Sequence, residues 1–198
     1  MIKLFRAEPV TESLLGGNPN YRRPTLRLPV NAPFIIDNLW EYLRPDHMPC
    51  RRHAVFASPS PALALASSAS ADKGSGLGVY EVVIAGEVKI AQLGVKDAKF
   101  HPDIAKVVGK LPKRITELAS GSADRQAAAM LFLPGASKDE WTAIAASSRA
   151  AAALIDEMTS ISSFWAEAST VVALNNGEVF FELGSGASYS PRNLLCAV

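Results

Sequence analysis

CRRHAVFASPSPALALASS, residues Cys50 to Ser68, sets two secondary structures end to end across a proline. The apolar run Ala54–Ala57 has the length and composition of a buried strand. Ser60 followed by Pro61 then reads as a helix start. The hydroxyl can cap, and proline suits the first helical position. Ser58 therefore falls where a strand ends beside a helix start, and free backbone N–H groups there favour an anion. Turn and cap preferences by themselves account for Ser58 and Ser60, and this plainer reading is the favoured one. Upstream, Arg51, Arg52 and His53 either add positive field to this point or form, for at least one arginine, a solvated surface.

Working outward, Ile2–Ala7 reads as a short strand carrying Arg6. Residues 16–33, GGNPNYRRPTLRLPVNAP, hold four prolines, two glycines and three asparagines and read as an irregular arm. FIIDNLWEYLRP is a helix with Phe34, Leu39, Trp40 and Leu43 on one side, stopped by Pro45. SADKGSGLG is a loop. VYEVVIAG and EVKIAQLG are strand-like runs meeting at Gly86, as a hairpin or as one bent strand. From about Asp103 to Ala168 the texture becomes helical. Ser122 is placed to cap a helix over Ala123–Leu131. Ser137 and Glu140 have capping-box spacing ahead of an Ala-rich helix reaching Met158, with Trp141, Ile144, Ala145, Ala152, Ile155 and Met158 as its apolar stripe. In STVVALNNGEVFFELGSG, Asn176-Gly177 between apolar runs predicts a hairpin. The order predicts one α+β domain over residues 1–198, with a mixed, mostly antiparallel sheet.

Bulk composition narrows the partners. The 198 residues carry a net charge of +1, so there is no global electrostatic case for nucleic acid or an anionic membrane. No run approaches the ~18 apolar residues of a membrane span, and the first residues lack a signal-peptide apolar region. Cys50 and Cys196, far apart and without CxxC neighbours, indicate neither a disulfide framework nor a zinc knuckle, which points to a reducing cytoplasm. His47 and His101 lack ligand-spaced companions, so a metal site is not expected. GxSxG, P-loop, HExxH and GxGxxG-plus-acid patterns are absent.

Two charges in strand-like runs stand out. Arg6, if it points inward, needs an anionic partner, and its planar fork suits a phosphate. If it follows the alternation outward, it is a surface arginine. Glu178 heads the run Val179-Phe180-Phe181, and alternation puts Glu178, Phe180 and Glu182 on one face. On alternation alone that face is favoured as the polar outside of a hairpin.

In chain order, LFRA with Arg6, VFASPS with Ser58 and GEVFFELGSGASY with Glu178 resemble the R-S-E (diphtheria/cholera-toxin-like, cholera-type) class of ADP-ribosyltransferases. That class has an arginine on its first core strand, a strand ending in Ser-Thr-Ser, and a late glutamate opening a final strand. The resemblance covers about half the chain. It implies an ADP-ribosyltransferase-type sheet with residues 103–168 as a helix-rich insertion, a toxin- or effector-like role, NAD as substrate, and a mono-ADP-ribosyl transfer to a macromolecule, in the first place a protein. An inhibitory partner protein is also within its scope. Arg6 would hold the phosphate or ribose side of NAD, and Ser58 would support Glu178. Glu178 would accept from the nicotinamide-ribose 2′-OH. Ser60, Phe56 and Tyr80 join the NAD-binding set, with Phe56, Tyr80, Phe180 and Tyr189 as candidates to stack on nicotinamide. Ser-Pro-Ser replaces Ser-Thr-Ser. Asn176 stands where arginine-modifying members carry a glutamate, which points away from arginine as acceptor. The alternatives are an NAD glycohydrolase of the same fold and a non-catalytic binding or assembly protein. The enzyme readings require Arg6, Ser58 and Glu178 to converge.

Overall fold

The computed structural model describes residues 3–22, 25–29, 32–68, 76–174 and 177–197. Its elements in chain order are β1 (Leu4–Pro9), α1 (Glu12–Leu15), β2 (Asn20–Tyr21), α2 (Phe34–Tyr42), β3 (Val55–Ala57), α3 (Pro61–Ser68), β4 (Leu77–Ala85), β5 (Val88–Gln92), α4 (Pro102–Leu118), α5 (Ser122–Met130), α6 (Lys138–Ser147), α7 (Arg149–Ile161), α8 (Phe164–Glu167), β6 (Val179–Leu183) and β7 (Ser188–Ala197). The fold is α+β, and every strand pair is antiparallel among the described residues. These residues group into two compact units. One comprises Met1–Thr25, Asp46–Ala98 and Ala168–Val198, and the other Leu26–Pro45 and Lys99–Glu167. No helix among the described residues is long and apolar enough to cross a membrane.

The first unit holds both sheets, ordered β1-β4-β7-β2 and β3-β6-β5. Alternation along β6 decides where its faces go. Val179, Phe181 and Leu183 enter a core with Leu4, Ala57, Tyr80 and Val82, so Glu178, Phe180 and Glu182 fall on the other side. The runs meeting at Gly86 form no hairpin with each other. β4 pairs with β1 and β7, while β5 pairs with β6, so the chain turns from one sheet into the other. Gly86 makes this corner with φ of 93°, a left-handed backbone disfavoured for other residues. The chain crosses back between β6 and β7, where Gly184 N–H donates to the Glu87 carbonyl at 2.9 Å. Sheets joined at such corners close around one core.

Two expectations are corrected here. Asn176 lies outside the described residues, but the described residues on either side of it do not pair as the expected hairpin. Val171–Leu174 is not a strand, and β6 takes β3 and β5 as partners. The physical cause is the Leu93–Val95 segment. Gly177 N–H donates to Leu93 O at 3.0 Å and Glu178 N–H to Val95 O at 2.8 Å, so these donors are spent away from residues 171–174. The buried Gln92 amide seals the arrangement, donating to Ala173 O at 2.9 Å and accepting from Ala173 N–H at 2.7 Å. The arm at 16–33 is likewise not wholly irregular. Asn20–Tyr21 extends the first sheet alongside β7, and Arg22 pairs with Glu182 at 2.8 Å.

The second unit is helical. The capping box forms as its spacing predicts, with Ser137 and Glu140 bonded reciprocally. The expected single Ala-rich helix is two, because the Ser148 hydroxyl accepts from Ala151 N–H and restarts the chain as α7. Trp141, Ile144, Ile155 and Met158 are buried as expected, divided between α6 and α7. Ser122 is the first residue of α5 rather than its cap, which is Gly121. On α2 the buried face runs through Ile35, Ile36, Leu39 and Trp40, and Phe34 is exposed.

The centre of this unit is Asp103, fully buried near the start of α4. Its carboxylate accepts from Ser162 Oγ at 2.6 Å, Ser163 N–H at 3.0 Å, Phe164 N–H at 3.2 Å and Trp40 Nε1 at 3.2 Å. Burial alone would raise its pKa. The donors from Ser162, Ser163 and Trp40, with His101 nearby, outweigh it and hold the carboxyl below its ordinary value. A folded pKa below the unfolded one gives stability present above the unfolded pKa and lost as pH falls through the folded one. Asp103→Asn presents an amide to donors, so urea unfolding at pH 7 should show a loss of about 3 kcal/mol. The gap from wild type should close as pH falls below the ordinary carboxylate range. A pH-independent gap would remove the carboxylate charge from the account.

Candidate functional site

β3 meets β1 at one end and β6 along its length. Phe56 pairs with Phe180 and Ala57 with Val179, so the next position of the antiparallel ladder puts Ser58 level with Glu178. Ser58 is buried, and its backbone exchanges two 2.8 Å hydrogen bonds with Phe5. The structure thus brings the Arg6, Ser58 and Glu178 backbones to one end of β3. The Arg6 and Glu178 side chains lie on opposite faces, so the three-way convergence expected of the enzyme readings is not found; by alternation only Ser58 and Glu178 share a face.

Arg6 follows Leu4 onto the core-facing side of β1, opposite Tyr80. Its guanidinium is ion-paired with Glu8, donates to Phe56 O at 3.0 Å, and lies 5.7 Å from the Tyr189 ring centre. Of the two orientations the sequence left open, the structure takes the inward one, and the anionic partner is Glu8. Burial by itself lowers the arginine pKa, but the Glu8 charge, with Tyr80 and Tyr189 as lesser contributors, raises it overall. Tyr80 is buried and its phenol pKa is pushed up, chiefly by burial.

Glu178 lies on the other face, beside Phe180. Its side chain is 15% exposed. Both of its side-chain hydrogen bonds go to Oε2, one from Arg51 at 3.3 Å and one from Ala98 N–H at 3.3 Å. Neither of these two bonds uses Oε1. Burial pushes the Glu178 pKa up and Asp97 adds to the rise, while Arg51 and the Ala98 N–H oppose it; the net direction is upward.

The cationic cluster before β3 is not solvated surface. Arg52 is 4% exposed and the Arg51 side chain 14%. The Arg51 guanidinium lies 5.1 Å from the ring centres of both Phe56 and Phe180. Sequence reasoning placed Arg51 among general positive charges and missed its pairing with Glu178. The only available signal was its position four residues before the strand. Ser60 is occupied as a helix cap, accepting from Leu63 N–H at 3.3 Å. Of the four aromatics, Phe180 and Tyr80 are buried and Tyr189 packs against Phe181. Phe56 is the partly exposed one on the Glu178 face. Glu182, on the same face, accepts from Arg22 and from Cys50 N–H at 2.8 Å and so ties the arm and the turn to β6. Asn176 lies outside the described residues. No group of three His, Cys, Asp or Glu placed to hold a metal occurs among the described residues.

In comparisons with known proteins, no family model, no curated protein and no solved structure matches the chain.

Proposed function

We propose that the chain is an NAD-dependent mono-ADP-ribosyltransferase built on Ser58 and Glu178, without the arginine of the R-S-E set in its site, acting on a protein acceptor at a group other than arginine. The observation that carries this reading is Glu178: a half-buried carboxylate, tethered by one oxygen only, level with Ser58 on a face bearing Phe56. Oε1 would accept from the ribose 2′-OH. As the C–N glycosidic bond breaks, nicotinamide leaves with the bonding pair, and the carboxylate stabilises the positive charge on the ribose. The acceptor then bonds to that carbon and gives up its proton. Phe56, partly exposed and packed on Arg51 and Phe180, would be the aromatic that meets nicotinamide. Arg6 first braces β1 against β3 and so fixes Ser58. Contact with an NAD phosphate would require it to exchange Glu8 for that phosphate.

Incubation with labelled NAD and cell lysate tests the reading. Label on protein supports it. Free ADP-ribose as the sole product would favour water as acceptor, and no NAD consumption would overturn it. Mapping of the modified atom by mass spectrometry checks the acceptor; modification on arginine would defeat that part.

Arg6→Ala should weaken NAD binding through Ser58 and lower stability by about 2 kcal/mol, because a largely buried side chain that donates to Phe56 O and holds Glu8 is truncated. Arg6→Lys should not restore either fully, since lysine lacks the planar fork. Calorimetry showing unchanged NAD affinity in folded Arg6→Ala would confine Arg6 to bracing the strands.

A further inference from the structure

We propose that Arg51 is the positioning residue of this site, fixing the Glu178 carboxylate by Oε2 and supplying its counter-charge while Oε1 stays open to substrate. The inference rests on the reading of Glu178 as the catalytic carboxylate. Three observations support it. The Arg51 guanidinium donates to Oε2 at 3.3 Å, and Ala98 N–H binds the same oxygen from another segment. The cation is itself immobilised, lying 5.1 Å from both Phe56 and Phe180 ring centres, within cation–π range. Both side chains are largely withdrawn from water, 14% and 15% exposed, where a charge pair is weakly screened.

The other charged groups around Glu178 do not substitute for Arg51. Asp97, from the segment after β5, is a like charge that disfavours ionisation. Glu182, further along β6, is engaged with Arg22 and Cys50 N–H. Arg6 is turned to Glu8. Without Arg51, burial and Asp97 would raise the Glu178 pKa further and disfavour the fixed negative charge. Lysine could supply charge but could neither lie flat against two rings nor present a fork.

The test follows the Glu178 carboxyl by carbon-13 NMR, assigned by its loss in Glu178→Gln, alongside the pH profile of NAD cleavage. In Arg51→Gln the titration midpoint should rise by at least about one pH unit, and the acid limb of kcat/KM should move with it. In Arg51→Lys the midpoint should return most of the way towards wild type while kcat stays reduced, KM changing less. Should Arg51→Gln not fold, the lysine variant decides alone: a wild-type midpoint with reduced kcat supports positioning, and full kcat overturns it. A folded Arg51→Gln whose Glu178 midpoint is unmoved also overturns the proposal. A wild-type protein that consumes no NAD overturns the functional reading instead, and the carboxyl titration still decides the Arg51 contact.

Discussion

Replacing Glu178 by glutamine is expected to lower NAD cleavage by about 10²–10³-fold, the size of effect seen when one preorganised electrostatic group is removed. NAD affinity should change little, because the lost charge acts on the transition state rather than on the bound substrate. Stability separates this role from a structural one. Burial, with Asp97, raises the Glu178 pKa above its ordinary value despite Arg51. Such a group contributes stability that is fully present below its unfolded pKa and is lost as pH rises through the folded one. Glutamine keeps the shape without the charge and does not titrate, but it removes the Glu178 charge from Arg51. Wild-type stability measured against the variant should therefore be greatest in acid and decline as pH rises through the folded pKa. Near-normal turnover would remove Glu178 from the mechanism. A stability gap that grows as pH rises, together with near-normal turnover, would make it a structural ion-pair partner instead.

Gly177→Ala should be the most damaging single-methyl change near the site. A Cβ at Gly177 would lie 1.8 Å from Val95 O and 2.1 Å from Val95 C, both backbone atoms. The Leu93–Ala98 segment would have to move, and with it the hydrogen bonds from Gly177 N–H to Leu93 O and from Glu178 N–H to Val95 O. Overpacking against backbone should lower stability by about 3 kcal/mol in urea unfolding. The same shift carries away the Ala98 N–H that binds Oε2. Turnover in the remaining folded protein should therefore drop by about 10²-fold, as expected for an ångström-scale misplacement of a reacting group. Stability within about 0.5 kcal/mol of wild type, the range of ordinary surface changes, would show that the segment yields freely and that Gly177 does not set the position of Glu178.

Features that depend on neighbours a few residues away were legible in the sequence. The Ser137–Glu140 box, the Ser60-Pro61 helix start and the shared face of Glu178, Phe180 and Glu182 follow from hydroxyl reach, proline geometry and strand alternation. The apolar stripe on residues 141–158 was correct in composition but not in continuity, because one serine hydroxyl turned inward to cap is indistinguishable in sequence from one facing water. Tertiary structure alone decided which strands pair. Asn176-Gly177 has local hairpin chemistry, yet Leu93 and Val95, some 80 residues earlier, claim the donors on its far side. Partner choice for buried charge was equally out of reach. Asp103 gathers donors from Trp40 and Ser162–Phe164, Arg6 selects Glu8, and Arg51 selects Glu178. In each case burial makes the charge costly unless it is paired, and which partner lies close enough is settled only when distant segments pack.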